Sequence, residues 1–166
     1  MRKITRREIT LGAGGLLLAC TAPAEKSRSF EVTYTEKEWR ERLTPEQFRV
    51  LRKHGTEPAG SSPLNDIKEP GTFVCAGCGQ PLFKTATKFD SGTGWPSFWA
   101  PLPHHIGTSV DTKLAMTRTE YHCRRCGGHQ GHVFSDGPAP TGLRYCNNGL
   151  ALRFIPEEND LPALRG

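Results

Sequence analysis

No apolar run in this 166-residue chain stands out as a bilayer span. Ile9 to Ala19 supplies about eleven residues, and a spanning helix needs about twenty. A surplus of one charge is also missing. The formal net charge is +5, from 22 Lys and Arg against 17 Asp and Glu. Four of those basic residues and one acidic residue precede Cys20, which leaves 18 against 16 in the remainder. So even a balance is a poor electrostatic footprint for nucleic acid, and none is expected as a partner. No internal repeat and no low-complexity tract interrupts the chain. The length fits one domain with an appendage. Gly 18 and Pro 13 favour short strands and turns over long helices.

What is present begins at the N-terminus. Arg2, Lys3, Arg6 and Arg7 precede the short apolar run, which suits a secretory signal over residues 1–19. Thr5-Arg6-Arg7 with Ile9 resembles the twin-arginine export signal. Leu17-Leu18-Ala19-Cys20 resembles the lipobox of bacterial lipoproteins, in which Cys20 would carry the lipid. The other reading is a buried strand or a short anchor. Residues 20–30, small, polar and proline-containing, read as a tether, and residues 31–166 as the folded domain. Export would place the domain in the periplasm or cell envelope, held to a membrane through the lipid.

Two helix starts follow. Thr35 with Glu38 and Thr44 with Gln47 each fit a capping box, the second with Pro45 at the first helical position. Phe48 and Leu51 would face inward, and Gly55 would end the helix. From Gly71 onward short apolar or mixed runs alternate with Gly and Pro, an all-β pattern. The tail after Pro156 is expected to fray.

Six cysteines are present. Cys75-Ala-Gly-Cys78-Gly and Cys123-Arg-Arg-Cys126-Gly form two C-x-x-C-G pairs, 44 residues apart. Two thiolates on each tight turn can face one ion, and four sulfurs in a tetrahedron select zinc, in a closed and therefore structural site. The glycines would let the turns aim amide hydrogens at sulfur. Two disulfides remain an alternative in an exported protein. A second alternative is a site of Cys123, Cys126, His129 and His132, which would leave Cys75 and Cys78 without a role.

With four cysteines on zinc and Cys20 on lipid, Cys146 is left over. A lone cysteine is commonly a small buried hydrophobe. Its neighbours suggest more. Arg144 could favour the thiolate, and on a strand Arg144, Cys146 and Asn148 would share a face. Upstream, His129, His132, Phe134 and Asp136 fall within eight residues. Histidines there could deliver a proton near neutral pH. His104 and His105 read as a solvated loop.

The run H129-Q-G-H-V-F-S-D-G-P-A-P-T-G-L-R-Y-C146-N-N resembles the signature of methionine-R-sulfoxide reductases. So do K88-F-D-S-G-T-G-W-P-S-F-W99 and the two C-x-x-C pairs, and the likeness extends from about Thr35 to Pro156. It implies a mainly β fold of two antiparallel sheets of short strands, with short N-terminal helices and a structural zinc site. It implies that Cys146 attacks the sulfoxide sulfur. His132, seconded by His129, would protonate or polarise the departing oxygen. Asp136 would organise the histidines, Arg144 would stabilise the thiolate, and Asn148 would hydrogen-bond in the site. Trp95 and Phe134 would wall the pocket for the S-methyl group. The substrate would be oxidised proteins or peptides, the reductant thioredoxin-like or a small thiol, and the enzyme a monomer.

Three positions depart from the family pattern. Many members have a resolving cysteine where this chain has Thr93, so a one-cysteine cycle is expected. Asn147 replaces the Ile or Val that commonly follows the nucleophile, and Gln130 replaces the usual Leu between the histidines. Both sites are expected to be more polar or more exposed than in relatives.

Overall fold

A computed structural model describes residues 29–112 and 116–166. The signal, the lipobox with Cys20, and most of the tether lie outside the described residues. Two short helices come first, α1 (Glu36–Arg42) and α2 (Pro45–Lys53). Both begin with the capping boxes read from sequence, Thr35 with Glu38 and Thr44 with Gln47. Each box satisfies two backbone donors that the first helical turn leaves open. Phe48 and Leu51 are buried on the inner face of α2. The left-handed residue that ends α2 is His54, with φ 55°, one position before the expected Gly55. Histidine is among the residues that tolerate this conformation.

The strands form two antiparallel sheets. The smaller has the order β2 (Pro81–Lys84), β1 (Gly71–Cys75), β9 (Leu152–Pro156). The larger has the order β3 (Lys88–Phe89), β4 (Ser97–Phe98), β8 (Arg144–Asn147), β7 (His129–Phe134), β6 (Arg118–Cys123), β5 (Ile106–Asp111). Aromatic side chains fill the space between them. Phe83 of the small sheet stacks on Phe98 of the large one at 4.2 Å between ring centroids, and Phe73 meets Phe98 edge-on at 5.0 Å. Tyr121 and Tyr145 join the same cluster. Burying such a ring contributes about 1.5–3 kcal/mol, and a favourable ring pair about 0.5–1.5 kcal/mol more. This aromatic seam fixes one face of β8 and so determines what its other face can do.

The tail does not fray as expected. Arg165 N donates to Cys78 O at 2.9 Å, and the Arg125 guanidinium donates to Arg165 O. The last residues therefore lie over the first cysteine turn. Among the described residues no helix is long and apolar enough to cross a membrane.

Candidate active site

The two C-x-x-C turns end strands of different sheets. Cys75 closes β1, and Cys123 closes β6. Glycine is required after each pair, because Gly79 has φ 80° and Gly127 has φ 68°. Their own amides close the turns on the Cys75 and Cys123 carbonyls, both at 2.9 Å, while the Gln80 backbone N–H is directed at the Cys78 sulfur, as such a turn is expected to do. The four thiols are buried and near one another, with Cys75 Sγ 3.7 Å from Cys126 Sγ and Cys78 Sγ 3.6 Å from Cys123 Sγ. A disulfide requires about 2.05 Å. Zinc–sulfur bonds of about 2.3 Å in a tetrahedron put the sulfurs about 3.8 Å apart. The cage therefore fits a metal such as zinc, across the pairs and without the histidines. Left to themselves, neighbouring sulfurs and burial push Cys75, Cys123 and Cys126 above the ordinary thiol range. A divalent cation relieves that repulsion.

The candidate catalytic groups occupy one row across the large sheet. In an antiparallel sheet, directly paired residues point to the same face. Ser109 pairs with Glu120, Glu120 with His132, His132 with Cys146, and Cys146 with Ser97. Five strands thus align a hydroxyl, a carboxylate, an imidazole, a thiol and a hydroxyl. Directly opposed Cβ atoms lie about 4.5–5.5 Å apart, so the His132 ring is within reach of Cys146. On β8, Tyr145 and Asn147 face the core, whereas Arg144 and Cys146 face the row.

Strand alternation alone would separate His129 from His132. A bulge resolves this. Tyr121 pairs with Gly131 and His122 with His129, leaving Gln130 without a partner on β6. The shift brings the two histidine rings to 5.5 Å, edge to face. His129 Nδ1 then lies 2.8 Å from Glu120 Oε1. His129 is buried and does not line the cavity over Cys146.

That cavity, about 140 Å³, is lined by Cys146, His132, Trp95, Phe134, Arg118 and backbone-flanking Gly131, among others. Trp95 is held by its indole N–H on Glu57 O at 3.1 Å. Phe134 is covered by the Arg144 guanidinium, 4.4 Å from the ring centroid. A larger cleft of about 610 Å³ lies on another side of Trp95, lined by Lys68, Lys88 and Asp66 among others. Neither Cys146 nor His132 lines it, so size does not locate the chemistry here.

The carboxylates differ from expectation. Asp136 does not organise the histidines. It forms two 2.9 Å hydrogen bonds with Arg144, because the turn after β7 brings it level with the start of β8. The partner of His132 is Asp111, whose Oδ2 lies 2.7 Å from Nε2 and also accepts from Arg118 at 2.7 Å. Burial lowers the affinity of His132 for a proton more than Asp111 raises it, and the Arg118 charge lowers it further. The imidazole is therefore neutral at pH 7. Cys146 shows a similar balance. Burial raises its pKa, and the Arg144 charge and hydrogen bonds from Thr93 and Arg144 only partly offset this. The resting group is a thiol, although Arg144 favours the thiolate as the resemblance implies. Proton and acceptor are thus stored side by side.

Asn148 holds the site's floor. Its Nδ2 donates to Gln130 O at 2.9 Å, and its Oδ1 accepts from Glu57 N at 3.0 Å. Glu57, which the sequence reading missed, turns its buried carboxylate onto the amides of Gly149 at 2.5 Å and Leu150 at 2.9 Å. Those partners lie 92 and 93 residues away, so no local pattern marks them. Thr93, Ser91 and Ser97 link hydroxyl to hydroxyl at 2.8 Å per step, against Cys146. Gln130 and Asn147 are fully buried rather than exposed. Their amides meet at 3.5 Å, and Asn147 Oδ1 accepts from Tyr121 O–H at 2.6 Å. Tyr121 reaches across the strand because Gly131 lies between them in the register, where an added Cβ would collide with Cys146 O.

The four-cysteine cage ties two β-sheets, a fifth thiol stands on an open row beside an imidazole, and the proteins this chain is similar to are oxidoreductases. Residues 43–156 match the SelR domain. The "Peptide methionine sulfoxide reductase MsrB" of Leptospira interrogans is 48% identical over 78% of this chain and 99% of its own length. Proteins of the same description from Agrobacterium fabrum and Methanosarcina barkeri are 50% and 52% identical, each over 76% of this chain and over 94% and 90% of their own lengths. The chain belongs to the MsrB family of peptide methionine sulfoxide reductases.

Proposed function

We propose that this chain reduces methionine-R-sulfoxide, chiefly in proteins, in a cycle that uses one cysteine. The observation that carries the reading is Cys146 at an apolar notch between Trp95 and Phe134, directly paired with His132. The notch accepts the S-methyl group. Cys146 Sγ attacks the sulfoxide sulfur while its proton passes to His132, whose other nitrogen Asp111 holds. The imidazole returns that proton to the departing oxygen. In net terms the oxygen moves from substrate sulfur to Sγ and the thiol proton ends on it. The substrate sulfur gains two electrons, and Cys146 becomes a sulfenic acid.

Among the described residues no second thiol lines the cavity, and the other four cysteines belong to the buried cage. Thr93 touches Cys146 in place of a resolving cysteine. Two external thiols, free or on a thioredoxin-like protein, would therefore regenerate Cys146 and release a disulfide and water. The cage would hold one structural zinc, since four sulfurs leave it no open position. The N-terminal pattern supports export and lipid attachment at Cys20, which would place repair in the cell envelope.

Steady-state assays with each sulfoxide epimer in a peptide, with dithiothreitol and with thioredoxin, test the reading. Reduction of the R epimer alone is expected. Equal turnover of both epimers, or of the S epimer alone, rejects it. Mass spectrometry of the oxidised enzyme should show one added oxygen or a mixed disulfide on Cys146, and an internal disulfide with zinc retained would reject the one-cysteine cycle.

A further inference from the structure

Glu120, beside His132 in the catalytic row, also belongs to a second group of metal-binding side chains. One donor atom from each of His54, Glu120 and His129 lies within 4.8 Å of the others. Glu120 Oε1 is the shared corner, 2.8 Å from His129 Nδ1 and 4.0 Å from His54 Nδ1. An ion with bonds of about 2.0–2.2 Å holds tetrahedral donors about 3.3–3.6 Å apart. The two distances bracket that value and the third donor pair lies within 4.8 Å, so movements of about 0.5–1 Å would complete the site.

We propose that His54, Glu120 and His129 form a second, reversible site for a borderline divalent cation of the zinc type. Two imidazoles and a carboxylate are a donor set that suits zinc and leaves a fourth position for water. The carboxylate is already oriented. Ser109 donates to Glu120 Oε2 at 2.5 Å, and His122 Nδ1 lies 3.0 Å from the same oxygen. That leaves Oε1 turned to His54 and His129. Outer partners of this kind commonly support metal ligands. The carboxylate is almost wholly buried, held by Ser109, His122 and His129.

His54 provides the way in. Its side chain is half exposed, whereas His129 is buried. The residue is fixed by the end of α2 in a left-handed conformation uncommon for non-glycine residues, with its ring 5.0 Å from that of His129. The consequence for catalysis rests on the proposed reductase function. An ion on His129 would fix a ring 5.5 Å from the His132 ring and place positive charge behind it. Proton uptake by His132 would become harder, so the bound ion would inhibit.

Binding can be separated from activity. With Cys146→Ser, which removes the cavity thiol as a competing ligand, the zinc-loaded protein is dialysed against buffered free Zn²⁺ and its metal content measured. A second zinc per chain is expected at micromolar to submillimolar free ion. Adding His54→Asn should weaken that second ion more than about 10-fold, the loss that even an outer partner can cause. Asn tolerates the left-handed position and preserves the cap. His54→Gly should behave alike and guards against a folding defect in either variant. Unchanged affinity in both variants, or no second zinc up to about 1 mM, where binding is only about −4 kcal/mol, overturns the site. With Cys146 intact, Zn²⁺ should inhibit the enzyme, and His54→Asn should retain basal turnover and need more Zn²⁺ for the same inhibition, the remainder being zinc on the Cys146 thiol. If the chain proves inactive on sulfoxides, the dialysis still decides the metal site.

Discussion

The molecule keeps thiols in two opposite environments. At the cage, four sulfurs are buried, mutually close, and unable to ionise together without a cation. At the row, one sulfur is half-buried, faces a cavity, and has an arginine, a threonine and an imidazole around it. The two sites meet in the large sheet, since β6 ends in one half of the cage and its neighbour but one, β8, carries Cys146, while the other half of the cage ends β1 of the small sheet. Reactivity therefore does not follow from cysteine as a residue type. It follows from whether a sulfur is shared with metal-site partners or exposed to a substrate.

The sharpest way to test that division is to swap sulfur for oxygen at each place. Cys146→Ser should reduce turnover by about 10⁴-fold or more, the scale seen when a nucleophile is removed. Thermal stability should change little, because the side chain is nearly isosteric and only half-buried. The measurement is kcat on the sulfoxide together with a melting curve. A variant that keeps appreciable turnover would break the comparison at once.

The reverse pattern is expected at the cage. Cys126→Ser should release the metal and unfold the protein, with activity lost only as a consequence. Structural zinc contributes about 10–16 kcal/mol in small zinc peptides, whereas a domain's whole stability is about 5–15 kcal/mol. Metal analysis and circular dichroism report this. A folded, metal-free variant with full activity would show that the cage is dispensable.

These two sites were not equally legible. The two cysteine turns could be read from spacing, because C-x-x-C-G is a local pattern that encodes its own turn, whereas spacing left open which four donors join. Both capping boxes were legible for the same reason. Cys146 emerged by elimination and by family resemblance. Its partners did not, because the register of distant strands supplies them. Asp111 lies 21 residues from His132, and Glu57 lies 91 from Asn148. The family resemblance implies a place for Asp136 among the histidines, whereas the turn carries it to Arg144. The pairing of His129 with His132 required a bulge, which a strand of period two does not foretell.

A third test concerns the proton on Cys146. Burial holds the thiol above its ordinary value of 9.0, against the pull of Arg144. The thiolate is the form that reacts with iodoacetamide. Alkylation of the metal-loaded enzyme should therefore keep rising with pH beyond 9. Arg144→Met removes the stabilising charge, so its curve should lie further to alkaline pH and its rate at pH 7 should fall severalfold. A plateau below pH 8 in the parent enzyme would mean that the charge outweighs burial, and Cys146 would be a resting thiolate after all.

The smallest effect concerns the link between the two regions. Gln130 lies between them, with Nε2 3.5 Å from Cys75 Sγ in the cage and Oε1 3.5 Å from Asn147 beside the nucleophile. The family pattern that the sequence resembles has apolar side chains at both positions, which would make the two amides a matched exchange. Gln130→Leu alone leaves the Asn147 amide short of an acceptor. Asn147→Val alone strands the buried Tyr121 hydroxyl, whose acceptor is Asn147 Oδ1. Each should cost about 1–3 kcal/mol, the cost of an unsatisfied buried group. The double variant removes both halves, and its cost should fall short of the sum by about 0.5–1 kcal/mol, the coupling expected of contacting residues. Denaturant melts of the four proteins measure this, provided that metal content stays constant. Strict additivity would mean that the amides are independent, and that the cage and the reactive thiol share a sheet without a side-chain link between them.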